Sequence, residues 1–269
     1  MKPNPLKFCL TLIRFLLGII CCQTLFASDE ILIAYAGKTN TEAHKGVELG
    51  IEEANTQGKF LGLSFRLVEN PSPLQSRVLG GFKAIVSDGD IGILRRLSSE
   101  YPSLPLFNLS ERSETIRREC YDNLLHVIAS EEMLDDAIVR WRRMTPSSKQ
   151  SAIGWHHGLK KYAAAQLNKR YQERFGEPMS EIAWAGWASI KIVSDTIVRL
   201  SPTADLLYAI KNDLNFDGQK GVGLSFRETG QLRQPVLIID DDKIIGEIPV
   251  PGPDSKNKLD DLGTVDCYK

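Results

Sequence analysis

The sequence holds few residues whose types and spacing match a catalytic or metal-binding motif. No nucleophile elbow, phosphate-binding loop, dinucleotide fingerprint or zinc-ligand spacing occurs in it. His156 and His157 are adjacent where a helix is predicted to begin, with no cysteine or acidic residue at ligand spacing, so they predict a polar helix start. Asp240–Asp242 lies between two apolar runs and predicts a hairpin turn in preference to a calcium loop. We therefore expect no catalytic residue, no metal, no cofactor and no enzymatic activity.

Small polar residues follow two predicted strands, at the point where each strand ends. Lys38, Thr39 and Asn40 come after the first strand, and Asn108 and Ser110 come at the end of the fourth. In an open parallel sheet, ligands bind at the carboxyl ends of the strands, where helix N-termini offer free N–H groups. These five residues are our candidate site for a carboxylate or hydroxyl of a small solute. The alternative is that they are loop and cap residues with no ligand.

The first half of the chain predicts alternating strands and helices. Ile31–Ala36 is a short apolar run, and His44–Gln57 follows with apolar residues at helical spacing. Leu63–Glu69 alternates apolar and polar residues, as a half-buried strand does. Further along, we predict helices over Leu74–Ser87 and Arg95–Tyr101 and strands over Ile91–Leu94 and Leu104–Leu109. This order predicts an α/β fold with a doubly wound parallel sheet.

The second half predicts helices first and a hairpin last. Leu124–Ala129 predicts another strand, and Ser130 is placed to cap a helix over Glu131–Arg143. After the loop 145–150, helical spacing predicts three helices, over Leu159–Phe175, Ile182–Leu200 and Ala204–Asp213. Val236–Ile239 and Lys243–Ile248 predict the two strands of the final hairpin.

Residues 1–27 have the three parts of a secretory signal peptide. Lys2, Lys7 and Arg14 make the first part positive, Phe15–Cys22 is a short apolar core, and Ala27 offers a small residue for cleavage. The alternative is an uncleaved membrane anchor, but the 13 residues from 15 to 27 fall short of the ~20 that a bilayer span needs. We therefore predict export to the periplasm, with a mature chain of 28–269.

Loss of the signal peptide simplifies both the charge and the cysteine count. The formal net charge of −1 becomes −4 without the three basic residues of the signal, which gives no reason to expect nucleic acid or an anionic membrane as partner. The mixed charge run 111–119 predicts a solvated surface.

Of five cysteines only Cys120 and Cys267 remain, and an oxidising compartment favours one disulfide over two unrelated thiols.

Four segments of the mature chain carry a family resemblance. They are Gly46–Phe65, Cys120–Ile138, Leu224–Val236 and Leu259–Cys267. They resemble the type I periplasmic solute-binding proteins of ABC importers, which include the branched-chain amino-acid-binding proteins. More narrowly, they look like the branch associated with pyrroloquinoline-quinone-dependent alcohol dehydrogenase systems. The resemblance implies a non-catalytic protein that passes a small solute to the membrane components of an ABC transporter, and it also implies that the two cysteines belong together.

The sequence departs from that family after the helix that ends at Arg143. A typical member has two α/β lobes that close on a ligand, whereas here the loop 145–150 leads almost directly to the next predicted helices. We therefore expect one lobe over about 28–125 and 155–235, with a remnant of the second over about 126–150 and 236–250. The cleft positions of relatives correspond to Lys38–Asn40 and Ser110, while the family's Gly-Pro-x-x-Gly loop is absent.

Three hypotheses for function follow from these patterns. The first is a periplasmic substrate-binding component of an ABC transporter, linked to a dehydrogenase system of the kind named above. The second is an accessory protein whose exposed single lobe binds a protein partner, either a dehydrogenase, a transporter subunit or a second copy. The third is a periplasmic enzyme, for which the sequence offers no catalytic constellation.

Overall fold

The computed structural model describes residues 29–71, 81–145, 149–200, 204–250, 252, 256–264 and 266–267. The predicted signal peptide, 1–27, lies outside these residues, as does the first half of the helix predicted over Leu74–Ser87. Within the described ranges, every helix is too short or too polar to cross a bilayer.

Strands and helices alternate along the described chain. The strands are β1 (Asp29–Ala36), β2 (Leu63–Glu69), β3 (Ala84–Ser87), β4 (Leu106–Asn108), β5 (Leu124–His126), β6 (Ser151–Ile153), β7 (Ser225–Phe226), β8 (Leu232–Arg233), β9 (Val236–Asp240) and β10 (Lys243–Ile248). The helices are α1 (Glu42–Gly58), α2 (Ile91–Glu100), α3 (Glu114–Arg118), α4 (Glu131–Met144), α5 (Ala164–Phe175), α6 (Glu181–Arg199) and α7 (Leu206–Asn212). A 3-10 helix over Lys256–Asp261 precedes the C-terminal cysteine.

Five parallel strands form the main sheet, in the order β2-β1-β3-β4-β5. The chain runs outward from β1 to β2 and then returns past β1 to β3, β4 and β5, so the sheet is doubly wound. β1 is buried on both faces: Ile33 and Tyr35 join the core under α1 and α6, while Leu32 and Ala34 join the core under α2. The predicted fold class is therefore confirmed.

Glycines allow α1 and α6 to pack closely on one face of this sheet. A Cβ atom on Gly46 would lie 1.9 Å from the carbonyl oxygen of Ala183, and one on Gly186 would lie 2.4 Å from the carbonyl oxygen of Ala43. These distances are shorter than any non-bonded contact, so the backbones approach each other only because both positions lack a side chain.

A second, antiparallel sheet has the order β10-β9-β6 and packs against α4. Its core includes Met133 and Ala137 from the helix and Val236 and Ile238 from β9. The predicted hairpin is confirmed as β9 and β10, which pair antiparallel around Asp241 and Asp242. Ser130 caps α4 as predicted, since its hydroxyl accepts a hydrogen bond from the Met133 N–H at 3.1 Å.

Two predictions around β3 are wrong. Ala84–Ser87 is a strand and not the end of a helix, because all four residues are buried between β1 and β4. Ile91–Leu94 begins a helix and is not a strand. Asp90 caps that helix, accepting a hydrogen bond from the Ile93 N–H at 2.9 Å. An apolar run of four residues does not by itself distinguish a buried strand from a helix turn.

The helix predicted from Leu159 begins only at Ala164. Tyr162 and Ala163 have φ angles of 57° and 64°, in the left-handed region that an α-helix excludes. The other helices of the second half follow their predictions to within two residues at each end.

The disulfide between Cys120 and Cys267 confirms the predicted pairing and joins two parts of the chain 147 residues apart. Arg227 holds the same C-terminal segment, because its guanidinium donates hydrogen bonds to the carbonyl oxygens of Leu259, Leu262 and Gly263 at 2.7–2.8 Å. The C-terminal segment is thus fastened by one covalent bond and by a cluster of hydrogen bonds.

We expect the Cys120→Ser/Cys267→Ser double variant to be less stable than the oxidised wild type. Without the crosslink the unfolded chain has more conformations, so folding loses more entropy. The chain-entropy estimate is about 5 kcal/mol. Urea denaturation of the oxidised wild type and the double variant measures the difference. Equal free energies of unfolding would show that Arg227 and its neighbours hold the C-terminal segment without the crosslink.

We expect Gly46→Ala to destabilise the protein by about 3 kcal/mol, since the new methyl group would push α1 away from α6. Gly92→Ala is the matched control, because its Cβ would meet only a carboxylate oxygen of Asp90, at 3.2 Å. That exposed helical position should change stability by less than about 1 kcal/mol. Thermal or urea unfolding of both variants tests the prediction, which a well-tolerated Gly46→Ala would contradict.

Candidate functional site

The loop after β1 forms one side of the carboxyl edge of the main sheet. Thr41 caps α1 by accepting a hydrogen bond from the His44 N–H at 3.2 Å. The carbonyl oxygen of Lys38 accepts a hydrogen bond from the Tyr35 hydroxyl at 3.0 Å. The side chains of Lys38, Thr39 and Asn40 are exposed, so three of the five predicted site residues lie at the surface beside the start of α1.

Asp88, at the end of β3, joins this loop to the loop after β4. One carboxylate oxygen lies 3.2 Å from the Thr41 hydroxyl, and the backbone oxygen accepts a hydrogen bond from the Ser110 hydroxyl at 3.1 Å. A Cβ on Gly37 would lie 1.6 Å from Asp88 Oδ1, so glycine is required where the carboxylate meets the loop. The structure therefore joins the side chains of Thr41 and Ser110 through Asp88, a residue that sequence reasoning missed. Asp88 follows an apolar run, as the other edge residues do, and that position is the sequence signal that indicates it.

Asn108 is fully buried, and its side chain shapes the turn after β4. Its amide oxygen accepts hydrogen bonds from the N–H groups of Ser110 and Glu111 at 3.2 and 2.9 Å, and its amide nitrogen donates to the Glu111 carbonyl oxygen at 2.7 Å. The same nitrogen lies 2.9 Å from Nδ1 of His126. Burial lowers the pKa of His126 well below its usual value, so this imidazole is neutral and accepts from Asn108. Asn108 thus presents Ser110 at the edge while its own polar atoms bond within the protein.

The charge run 111–119 is not the solvated surface that the sequence predicts. Arg112 bonds both carboxylate oxygens of Glu181 at 3.2 and 2.9 Å and the carbonyl oxygen of Ala129 at 2.9 Å. Arg117 is 1% exposed and donates to the Gln231 side chain at 2.7 Å and to backbone carbonyl groups. Burial lowers the pKa of Arg117 to about 10, which leaves the guanidinium charged at neutral pH.

Three crossover segments connect the main sheet to the antiparallel sheet: 127–130, 154–156 and 231–235. Buried side chains tie them to one another. Gln234 donates to the Val127 carbonyl oxygen at 2.7 Å, and Gln231 donates to the Ile128 carbonyl oxygen at 3.1 Å. Lys220 bonds both the Gly154 carbonyl oxygen and Gln234 Oε1, the latter at 2.6 Å. The crossover segments therefore form one hydrogen-bonded unit beside the carboxyl edge.

Lys220 is the most unusual member of this network. It is 3% exposed, and its ammonium nitrogen lies 4.0 Å from the ring centroid of Trp184. Burial lowers the pKa of this lysine to about 7. The negative charges of Glu181 and Glu247 have the opposite, smaller effect and raise the pKa. The amine therefore changes charge near neutral pH in the folded protein.

A surface groove of about 670 Å³ lies away from the carboxyl edge, between α1, α6 and the segment 214–219. Four of its six charged lining side chains form two ion pairs. Arg170 bonds Glu53 at 2.8 Å, and Lys191 bonds Asp195 at 3.1 Å. We therefore place the candidate site at the carboxyl edge, where exposed polar groups from several loops converge.

Solved structures share this fold. A substrate-binding protein of an ABC transporter from Sphaerobacter thermophilus matches with a TM-score of 0.66 and 10% identity, over 82% of this chain and 98% of that chain. One from Desulfitobacterium hafniense, solved in complex with leucine, matches with a TM-score of 0.63 and 12% identity, over 80% and 99%. A branched-chain amino acid transporter substrate-binding protein from Streptococcus pneumoniae, in complex with isoleucine, matches with a TM-score of 0.57 and 11% identity, over 81% and 99%.

The main sheet and its helices therefore have the fold of a type I periplasmic binding protein lobe. No protein-family model matches the sequence, and no curated protein matches it. The similarity is therefore one of tertiary structure. At 10–12% sequence identity the fold is shared, while most residues differ.

We expect the free energy of unfolding to rise with pH between about 7 and 10.5 because of Lys220. Its pKa is lower in the folded state than in the unfolded state, so within that window the unfolded chain binds more protons. Raising the pH therefore favours the folded state until both forms are neutral.

Urea denaturation at about pH 7.5 and 9.5 measures this slope, which Lys220→Met should reduce. Lys160→Met, at an exposed lysine, is the matched control and should keep the wild-type slope. Equal slopes in Lys220→Met and wild type would mean that the buried amine has an ordinary pKa. Tyrosines also titrate at high pH, but their contribution to the slope is the same in each variant and cancels in the comparison.

Proposed function

We propose that this chain is the solute-binding component of an ABC transporter and that it works in the periplasm without catalysis. The observation that carries the proposal is the convergence of the loops after β1, β3 and β4 at Asp88, on the carboxyl edge of the sheet. That edge is where open α/β sheets bind ligands. Proteins that share the fold were solved with leucine and isoleucine.

In this proposal the five predicted residues have two kinds of role. Lys38, Thr39, Asn40 and Ser110 contact the solute, while Asn108 holds the turn that presents Ser110. Lys38 supplies a positive charge and Asp88 a negative charge to the same group of loops, and this pairing suits a zwitterionic solute such as an amino acid. The polar edge therefore favours a small solute with both an acceptor and a donor group.

We further propose that the antiparallel sheet and α4 are a reduced second lobe. It comprises about 126–150 and 236–250, with β6 added to the sheet. The first lobe then comprises about 28–125 and 155–235. A short second lobe covers less of a bound solute than a full one does, so the affinity should be modest.

The cellular context is part of the same proposal. Residues 1–27 direct export, and the membrane components of an ABC transporter receive the solute. The sequence resemblance to the branch associated with pyrroloquinoline-quinone-dependent alcohol dehydrogenases supports a link to such a system. On that basis, short alcohols, their acids and the quinone join amino acids as solutes to be tested.

Calorimetric titration and thermal shift of protein purified from the periplasm test the proposal. The panel contains leucine, isoleucine, the other amino acids, short alcohols and acids, and pyrroloquinoline quinone. A solute present at 100 times its Kd should stabilise the protein by about 2.7 kcal/mol. We expect at least one member to bind with one site per chain.

Lys38→Ala and Ser110→Ala should each weaken that binding about tenfold, the effect of losing roughly 1.4 kcal/mol of contact energy. Lys83→Ala is the matched control, because Lys83 is exposed at the amino end of β3, at the opposite edge of the sheet. A well-folded protein that binds nothing in the panel would contradict solute binding. A dehydrogenase or transporter subunit that co-purifies would then support the accessory-protein hypothesis.

A further inference from the structure

Three potential metal ligands meet at the tip of the β9–β10 hairpin. His156 and His157 follow β6, and Asp242 lies 86 residues further along the chain. His156 Nε2 is 2.9 Å from one carboxylate oxygen of Asp242, and His157 Nε2 is 3.9 Å from the other. Asp241 and Asp242 have φ angles of 45° and 62°, and this tight turn directs the carboxylate toward the two imidazoles. The sequence predicts a polar helix start and a hairpin turn, and the fold places them side by side.

The donor set has the chemistry and spacing of a zinc ligand group. Two imidazole nitrogens and one carboxylate oxygen lie within 4.8 Å of one another. Ligand atoms about 2.1 Å from a tetrahedral zinc ion lie about 3.4 Å apart, which falls within the 4.8 Å that the three donor atoms span. Asp242 is 77% exposed and His157 is 43% exposed, so a hydrated ion reaches the group from solvent and keeps water as its fourth ligand.

The hydrogen bonds of His156 define what metal binding must change. The Gly158 N–H donates to Nδ1 at 3.0 Å, so Nε2 carries the proton and donates it to Asp242. A metal ion at Nε2 takes the place of that proton, which requires Nδ1 to become the protonated nitrogen. Gly158 is exposed, so its N–H can bond water instead. The protonated Nδ1 of His156 then needs an acceptor of its own, which a water molecule beside the exposed Gly158 can supply.

We propose that His156, His157 and Asp242 bind a divalent transition metal ion, with Zn²⁺ the best match to two imidazoles and a carboxylate. Such an ion crosslinks the hairpin to the crossover segment 154–156. It lies outside the loops proposed to bind the solute, so each site can be tested without the other.

The test is calorimetric titration of Zn²⁺ into the purified exported protein and into two matched variants. Asp242→Asn removes the proposed ligand, and Asp241→Asn removes the same charge from the neighbouring residue in the same turn. Asparagine tolerates the left-handed backbone of both positions. Losing an outer-shell partner alone weakens metal sites by about 10- to 100-fold, so we expect Asp242→Asn to lose at least that much affinity. Asp241→Asn should stay close to the wild type.

His157→Gln supplies a second, independent variant, and thermal unfolding supplies a second readout. Zn²⁺ should raise the Tm of the wild type and of Asp241→Asn, and it should leave Asp242→Asn and His157→Gln unchanged. The metal-free Tm values of the four proteins show whether each variant folds. Two outcomes overturn the proposal: the wild type binds no Zn²⁺, or Asp242→Asn and His157→Gln bind it as tightly as the wild type does.

Discussion

The structure depends on pairing the backbone groups of three buried crossover segments that run between the main sheet and the sheet of β6, β9 and β10. A buried carbonyl group without a partner is costly, so these segments need donors from elsewhere. Gln231, Gln234 and Lys220 supply them by bonding the carbonyl oxygens of Ile128, Val127 and Gly154. The same side chains bond one another or Arg117. Long polar side chains from one crossover thus fix the position of the next.

This network explains how the charged side chains of Arg117 and Lys220 can be buried. Arg117 stays charged because its guanidinium donates four hydrogen bonds, one to the Gln231 side chain and three to backbone carbonyl oxygens. Lys220 has fewer partners and a carboxylate only at longer range, so its charge is destabilised. Arg112 and Glu181 form a bidentate ion pair at the N-terminus of α6. The helix dipole favours a carboxylate at that position. The antiparallel sheet is therefore attached to the main sheet by defined bonds in addition to apolar packing.

The candidate site takes its shape from the same principle. Asn108 uses every polar atom of its side chain to form the turn after β4, and Asp88 connects that turn to the loop after β1. The residues that build the edge are therefore buried or half-buried, and the proposed solute contacts are exposed except for the half-buried Ser110. Asn108 is thus a positioning residue, Lys38, Thr39 and Asn40 are proposed contact residues, and Asp88 both joins the loops and supplies negative charge to the edge.

Local sequence patterns are enough to predict the features whose cause is local. The apolar run of β1, the alternation of β2, the Ser130 cap and the hairpin β9–β10 follow from neighbouring residues, and the two cysteines outside the predicted signal peptide leave one pairing. Features that depend on distant residues become visible in the folded chain. Ala84–Ser87 is a strand because β1 and β4 flank it, and Arg117 is buried because Gln231, 114 residues away, accepts its hydrogen bond. His156 and Asp242 likewise meet only after the sheets form, since no local pattern encodes a contact across 86 residues.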